Sequence, residues 1–331
     1  MGFTVITTIN APTDSLLRMV GRGLQDGQRS IIVGDRKTPD TAWPEGADFI
    51  SLSQQAELGY GLGRLLPENH YARKNVGYLA AMSRGADFIF DTDDDNAPLP
   101  FWKPRSREVT AHQCQQAGWV NAYRWFSDTH IWPRGLPLDK AHQHSSPAAL
   151  SEMVRVIAPI QQGLANGSPD VDAVWRLLMD HDVTFRPANS VSLSAGCWCP
   201  FNSQSTWWFP EAFALMYLPS FVSFRMTDIW RSFVAQRCLW ALGHGVVFHG
   251  PEMFQDRNPH NLLKDFEQEV PGYLDNDRFR IILGGLDLPA GTGQVGRNLH
   301  RCYEALQTAG LISAKEMPLV ECWLADLGAH A

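Results

Sequence analysis

The sequence has no long basic run: Lys and Arg total 28 against 35 Asp and Glu, a formal net charge of -7. A protein whose affinity comes from neutralising the phosphates of a polymer needs the opposite balance, so nucleic acid is not an expected partner. No apolar stretch is long enough to cross a bilayer, which predicts no integral membrane segment. The opening residues MGFTVITTINAP lack the basic start and apolar core of a secretory leader, and Ile6 stands where a myristoylation signal wants Ser or Thr. These absences predict a cytoplasmic protein. Six scattered cysteines, with only Cys197 and Cys199 close together, give neither a disulfide framework nor a zinc site. Charged residues make up 19% of the chain and apolar ones 44%, the composition of an ordered globular protein.

Apolar runs at 4–9, 30–33, 48–52 and 87–90 read as buried strands, each followed by turn or polar residues. Between them, residues 14–25 and 71–84 carry apolar side chains at helical spacing, and Thr13 or Asp14 is suited to cap the first helix. Alternating strands and helices predict an α/β sheet with right-handed connections. In such sheets ligands bind beyond the carboxyl ends of the strands, so Asn10–Thr13, Gly34–Lys37 and Asp91–Asn96 are expected to converge on one crevice. Further along, 98–147 reads as an irregular cover over that crevice. Residues 147–157, 168–178, 227–242, 257–285 and 296–329 read as helical, and 245–249 as a strand. With 331 residues, a single enzyme-sized unit is the economical reading. Its expected parts are a nucleotide-binding half at 1–97, an acceptor and sugar half at 98–266, and a helical region at 267–331.

The acidic cluster Asp91-Thr92-Asp93-Asp94-Asp95-Asn96 directly follows the apolar strand, so its carboxylates are expected at the rim of the sheet. Several negative charges packed there repel one another, and a cation relieves that repulsion. Hard divalent ions take oxygen ligands and bridge phosphate oxygens, so Mn²⁺ or Mg²⁺ with a diphosphate is the natural occupant. The bland alternative is an Asp-rich turn stabilised by local hydrogen bonds. An EF-hand is disfavoured, since Asn96 stands where its loop needs Gly and Trp102 where it needs Glu.

The segments VITTINAPT, VGDRKTP, LPENHYARKNVGYLAA and FIFDTDDDN resemble the STELLO family of glycosyltransferases and, more distantly, the plant reversibly glycosylated polypeptides, which are UDP-arabinopyranose mutases. IWPRGLPL at 131–138, TDIW at 227–230, VVFHG at 246–250 and NPHNLLKDF at 258–266 resemble later segments of the mutases in the same order, so the likeness covers residues 4–266. Both families imply a GT-A type fold: Rossmann-like, with a mixed central sheet, helices on both faces and a nucleotide-sugar ligand. The resemblance implies that Asp93 and Asp95 ligand the metal and that Asp35 meets the ribose or base. It places Thr8, Asn10, Asp94, Arg73, Lys74 and Asn75 around the nucleotide. It also places Arg134 at the arginine that becomes glycosylated in the mutases, and brings His249 toward the metal.

Several of these residues also have plain structural readings. Asp228 opens a helix, where an acid stabilises the backbone dipole, and equally suits a general base or an acceptor-orienting carboxylate. Arg134 reads also as a surface arginine beside Trp132, and His249 as a satisfied core histidine. Arg73 and Lys74 read also as exposed cations near a helix start. Trp198, Trp207 and Trp208 are weak candidates for stacking on a sugar ring. The function that follows is metal-dependent glycosyl transfer from a nucleotide-diphospho-sugar, expected to be a UDP-sugar, to a saccharide or other hydroxyl acceptor. A pyranose/furanose mutase using Arg134 is one alternative. A non-catalytic sugar-nucleotide-binding partner of a polysaccharide synthase is the other.

Overall fold

The computed structural model describes residues 1–141, 146–179, 181–256 and 261–328. Its first third folds as strands β1 (Gly2–Thr7), β2 (Arg29–Val33), β3 (Ala47–Ile50) and β4 (Phe88–Asp91), all parallel to one another. Successive side chains on a strand face opposite ways. Val5, Ile31, Val33 and Ile89 accordingly pack on one face with Val76 of the helix Lys74–Ser83, while Ile6, Ile32 and Phe90 pack on the other with Leu16, Met19 and Val20 of the helix Asp14–Gln25. Helices therefore cover both faces, as expected. Thr13 caps the first of them, its hydroxyl accepting from the Leu16 N–H at 3.1 Å. Gly77 lets the second approach the sheet, since a Cβ there would lie 2.6 Å from side-chain atoms of Val5 and Val33.

The remaining strands are β5 (Asn96–Pro98), β6 (Glu108–Cys114), β7 (Gly118–Trp119), β8 (Met153–Ile157), β9 (Ile160–Gly167), β10 (Val191–Leu193), β11 (Cys197–Trp198), β12 (Thr206–Trp208) and β13 (Val247–Gln255). The main sheet runs β3-β2-β1-β4-β12-β9-β13-β10-β6-β8, with β5 also paired to β13, while β7 and β11 form a separate pair. Because β12 is antiparallel to both β4 and β9, the sheet is mixed. From β1 the chain runs outward through β2 and β3, then returns to lay β4 on β1's other side. That reversal opens a crevice beyond the carboxyl ends of β1 and β4.

Several expectations are corrected. Residues 147–157 do not form a helix: 153–157 read MVRVI, whose valines and isoleucine favour an extended backbone, and they become the edge strand β8 paired to β6. The stretch expected to be irregular therefore contains a seven-residue strand, β6. The helix expected from Ser168 begins only at Ala173, because Asp172 supplies the cap, accepting from the Trp175 N–H at 2.8 Å. The strand expected at 245–249 continues to Gln255 as β13. The helix expected at 257–285 is Leu262–Gly284, with 257–260 outside the described residues; part of the NPHNLLKDF segment falls there. The helical stretch 296–329 is two helices, Val295–Thr308 and Met317–Gly328, while residue 329 lies outside the described residues.

Those last helices fasten the fold together. Asp326 accepts from the N–H groups of Gly61 and Leu62 at 3.0 and 2.9 Å, capping a short helix of the first third. Glu316 accepts from the N–H groups of Ser220 and Phe221 and from the Tyr217 hydroxyl. Among the described residues, no helix is long and apolar enough to cross a membrane.

Candidate active site

A cleft of about 390 Å³ opens at the carboxyl ends of β1, β2 and β4. The turn after β4 carries Asp93, Asp94 and Asp95 into it, and the loops after β1 and β2 bring Thr8, Asn10 and Asp35. Asp94 is tied back to the first loop: one oxygen accepts from the Thr8 hydroxyl and, at 3.1 Å, from the Asn10 amide, while Thr13 donates to its backbone carbonyl. Asp35 accepts backbone N–H groups from Arg36 at 2.7 Å and His70 at 2.9 Å, which fixes its carboxylate at the cleft wall. Asn69, beside it, holds a left-handed backbone at φ 53, a conformation Asn tolerates better than most residues.

The flanking aspartates differ from Asp94. Asp93 accepts from the Tyr71 hydroxyl at 2.6 Å and from Lys74 Nζ at 3.0 Å; Asp95 accepts from Gln255 Nε2 at 2.9 Å. Burial raises the Asp93 carboxyl above its usual range against the pull of Lys74. Burial, reinforced by Asp93 and Asp94, pushes Asp95 up to about 7. Asp95 thus has no positive charge at close range among the described residues and Asp93 has only Lys74, and a divalent cation would supply more. The donors are all oxygens, which fits Mn²⁺ or Mg²⁺. Among the described residues no group of three or more His, Cys, Asp or Glu side chains is placed to hold a metal, so substrate phosphates and water would have to complete the shell.

Across the cleft, Arg134 lies between two carboxylates. It donates to Asp170 through Nε and Nη2 at 2.7 and 2.8 Å, to Asp228 through Nη1 and Nη2 at 3.0 and 2.9 Å, and through Nη1 to the Arg225 carbonyl. All five guanidinium donors are thereby engaged. Burial works against its charge, but Asp170 and Asp228 outweigh it and hold the guanidinium well above its ordinary value. Burial likewise opposes ionisation of Asp228, yet Arg134 brings that carboxyl below its usual range. The three residues form a fork with carboxylate oxygens at the cleft wall.

A sequence model of the STELLO glycosyltransferases matches residues 225–330, which include the helix carrying Asp228. Two Arabidopsis thaliana proteins, described as probable glycosyltransferases STELLO1 and STELLO2, are each 32% identical over 268 and 269 residues, 75% of this chain. The chain is similar to the STELLO glycosyltransferases along three quarters of its length. It spans only about a third of the length of these relatives, 34% of each. The mixed sheet with helices on both faces is accordingly a GT-A type fold, and the family is one of glycosyltransferases.

In this STELLO-like chain the structure gathers Thr8, Asn10, Asp35, Asp93, Asp94, Asp95, Arg134 and Asp228 around one cleft. Four expected site residues lie elsewhere. Arg73 turns inward and donates to Gln55 and to the Leu66 and Gly63 carbonyls, bracing the loop before its helix. Asn75 is fully buried, exchanging hydrogen bonds with the Leu218 backbone. Lys74 is also fully buried and sits under the acidic turn, 2.7 Å from Asp91, where it neutralises carboxylates. His249 lies away from the acidic turn, bonded to Ser190 and Gln161; burial holds it well below its usual pKa, in the neutral form. Trp198, Trp207 and Trp208 are core. The aromatic ring exposed in the cleft is Phe224, edge-on to His70 and Tyr71. Tyr71, Asp170, Gln255 and Phe224 escaped the sequence reading. Only Tyr71 had a signal, its place in the HYARKN stretch; Asp170 was read as part of a helix start.

Proposed function

We propose that the chain transfers a sugar from a nucleotide-diphospho-sugar, a UDP-sugar by family likeness, to a saccharide or other hydroxyl acceptor, with Mn²⁺ or Mg²⁺ as cofactor. The observation that carries this reading is the surplus of carboxylate at the crevice lip, facing Asp35 on one side and the Arg134 fork on the other. Asp93 and Asp95 would hold the ion, which when bound neutralises the charge growing on the departing nucleotide. Asp94, clamped by Thr8 and Asn10, keeps the turn in place. Asp35 has lone pairs left for ribose hydroxyls. Asp228 and Asp170, both oriented by Arg134, would present acceptor oxygens to sugar hydroxyls, and Asp228 would take the acceptor's proton.

The engaged state of Arg134 supports transfer over the mutase alternative. A guanidinium that attacks an anomeric carbon needs a nitrogen free of its proton, and this one is held charged with every donor occupied. The test is incubation with a panel of UDP- and GDP-sugars and Mn²⁺, following free nucleotide and ring isomers. Acceptor-dependent nucleotide release supports transfer. Ring isomers without release would replace it with the mutase, and binding with neither would leave a sugar-nucleotide sensor.

A further inference from the structure

A second cavity, of about 560 Å³, shares no lining residue with the cleft. It is walled by the stretch 101–110, by Gln161 of β9, by Ser190, and by His249 and Glu252 of β13. Its size falls within the span of ligand pockets, about 300–1,000 Å³. We propose that this cavity is a binding site for a neutral saccharide, the chemical class to which a glycosyl acceptor belongs. The link to an acceptor rests on the transfer reading above; the binding site does not.

Three observations carry it. The polar wall is rigidly oriented. Gln161 Nε2 donates to the carbonyls of Ser106 and Ala158 at 2.8 and 3.1 Å, so its Oε1 faces His249 Nε2 at 2.9 Å and that nitrogen must bear the hydrogen. His249 Nδ1 is then an acceptor, and the Ser190 hydroxyl donates to it at 2.7 Å, leaving the serine oxygen's lone pairs for an incoming hydroxyl. The wall also carries no surplus charge: Lys103 and Arg105 stand against Glu108 and Glu252, with Arg105 paired to Glu252. An anion or cation site needs an excess of one sign, whereas alternating donors and acceptors of balanced charge suit hydroxyl groups.

Trp102 supplies the second observation. Its side chain is 1% exposed and its indole N–H has no hydrogen-bond partner in the protein. A buried donor left unmade is costly, and this one belongs to a residue of the cavity wall. The third is Phe101, 63% exposed beside it on the same wall. An exposed aromatic face next to oriented polar groups matches a pyranose, which offers one C–H face and a rim of hydroxyls. The cavity and the cleft are also built on one strand, β13, on which His249 and Glu252 precede the Asp95 partner Gln255.

The test uses the full chain with linear neutral hexasaccharides of glucose and xylose, and a uronic acid hexamer as the anionic control. Calorimetry gives affinity, and hydrogen exchange read by mass spectrometry gives location. At least one neutral hexamer is expected to bind at millimolar concentration or below, protecting amides in 101–110, with Phe101→Ala weakening it about fivefold. UDP with Mn²⁺ should neither displace the saccharide nor lose affinity in Phe101→Ala. The proposal is overturned if no neutral hexamer binds at about 10 mM, if the uronic hexamer binds equally well, if UDP competes, or if both Phe101→Ala and Ser190→Ala leave affinity unchanged. Failure of UDP to bind at all would sink the transfer reading and leave this one standing.

Discussion

Asp91 and Asp93 are two residues apart, yet the protein treats them in opposite ways. Asp91 is fully buried and answered from within: Lys74 at 2.7 Å, Arg231 at 2.9 Å and the Ser203 hydroxyl at 3.0 Å surround it. Asp93 shares only the far side of Lys74 and otherwise meets the neutral Tyr71, while Asp95 meets the neutral amides of Gln255 and Asn96. Across the cluster, four carboxylates (Asp91, Asp93, Asp94, Asp95) face two cations (Lys74, Arg231), which leaves two negative charges at the lip. A divalent cation matches that remainder. Asp91 therefore belongs to the foundation and its neighbours to the site, a division that comes from which protein cations reach each carboxylate.

The largest effect expected from breaking this contrast is at Asp91. Asp91→Asn leaves Lys74 and Arg231 buried with one partner fewer, and unfolding in denaturant should show a loss of about 3–5 kcal/mol; a loss below about 1 kcal/mol would refute the foundation role. The double change Asp93→Asn, Asp95→Asn should act with the opposite sign on stability at neutral pH, since it removes repelling buried charge. It should also weaken Mn²⁺-dependent UDP binding by at least about a hundredfold. Calorimetry showing intact binding would end the metal reading.

A third effect separates the two aspartate environments by pH. Asp95 titrates near 7 in the folded chain, above the ordinary 3.8, so the native state holds the proton more tightly than the unfolded one. Its ionisation therefore costs stability progressively as pH rises from about 4 to 7. In metal-free protein, Asp95→Asn should melt higher than the parent at pH 8, with the gap narrowing as pH falls through 7 and closing only near pH 4. Mn²⁺ affinity, which requires the ionised carboxylate, should rise through pH 7 and level off above it. Flat profiles in both measurements would show that Asp95 is not held in this state. The smallest effect is at the clamp: Thr8→Val removes one hydrogen bond to Asp94, worth about 0.5–1.5 kcal/mol, and should weaken UDP binding by a few-fold while leaving the fold intact.

The strands and longer helices of the first third were legible because each obeys one period, whereas the short helices Leu52–Glu57 and Gly61–Leu65 went unread. Its four strands are short apolar runs and its first helix carries a cap where the sequence places one. Residues 147–157 were misread because helical and extended spacings agree over so short a run, and only pairing with β6 decides. Within the site, Asp93–Asp95, Asp35, Thr8 and Asn10 follow strands, so topology alone brings them together. Arg73, Lys74 and Asn75 fall on the inward face of their turn, and a sequence shows that a cation is near a helix start without showing which way it points. The long-range partners were illegible for the same reason: Gln255 meets Asp95 across 160 residues, and nothing local marks it.

The two hydrogen bonds from Gly61 and Leu62 to Asp326 also bear on how the protein is made. A chain emerging from the ribosome can pair its first parallel strands early, but the helix that begins at Gly61 waits for a cap synthesised 264 residues after Leu62. Its closing contacts are thus among the latest available, and a nascent chain halted before the final helix would leave the floor beneath Tyr60 and Leu62 open to chaperones and to proteases.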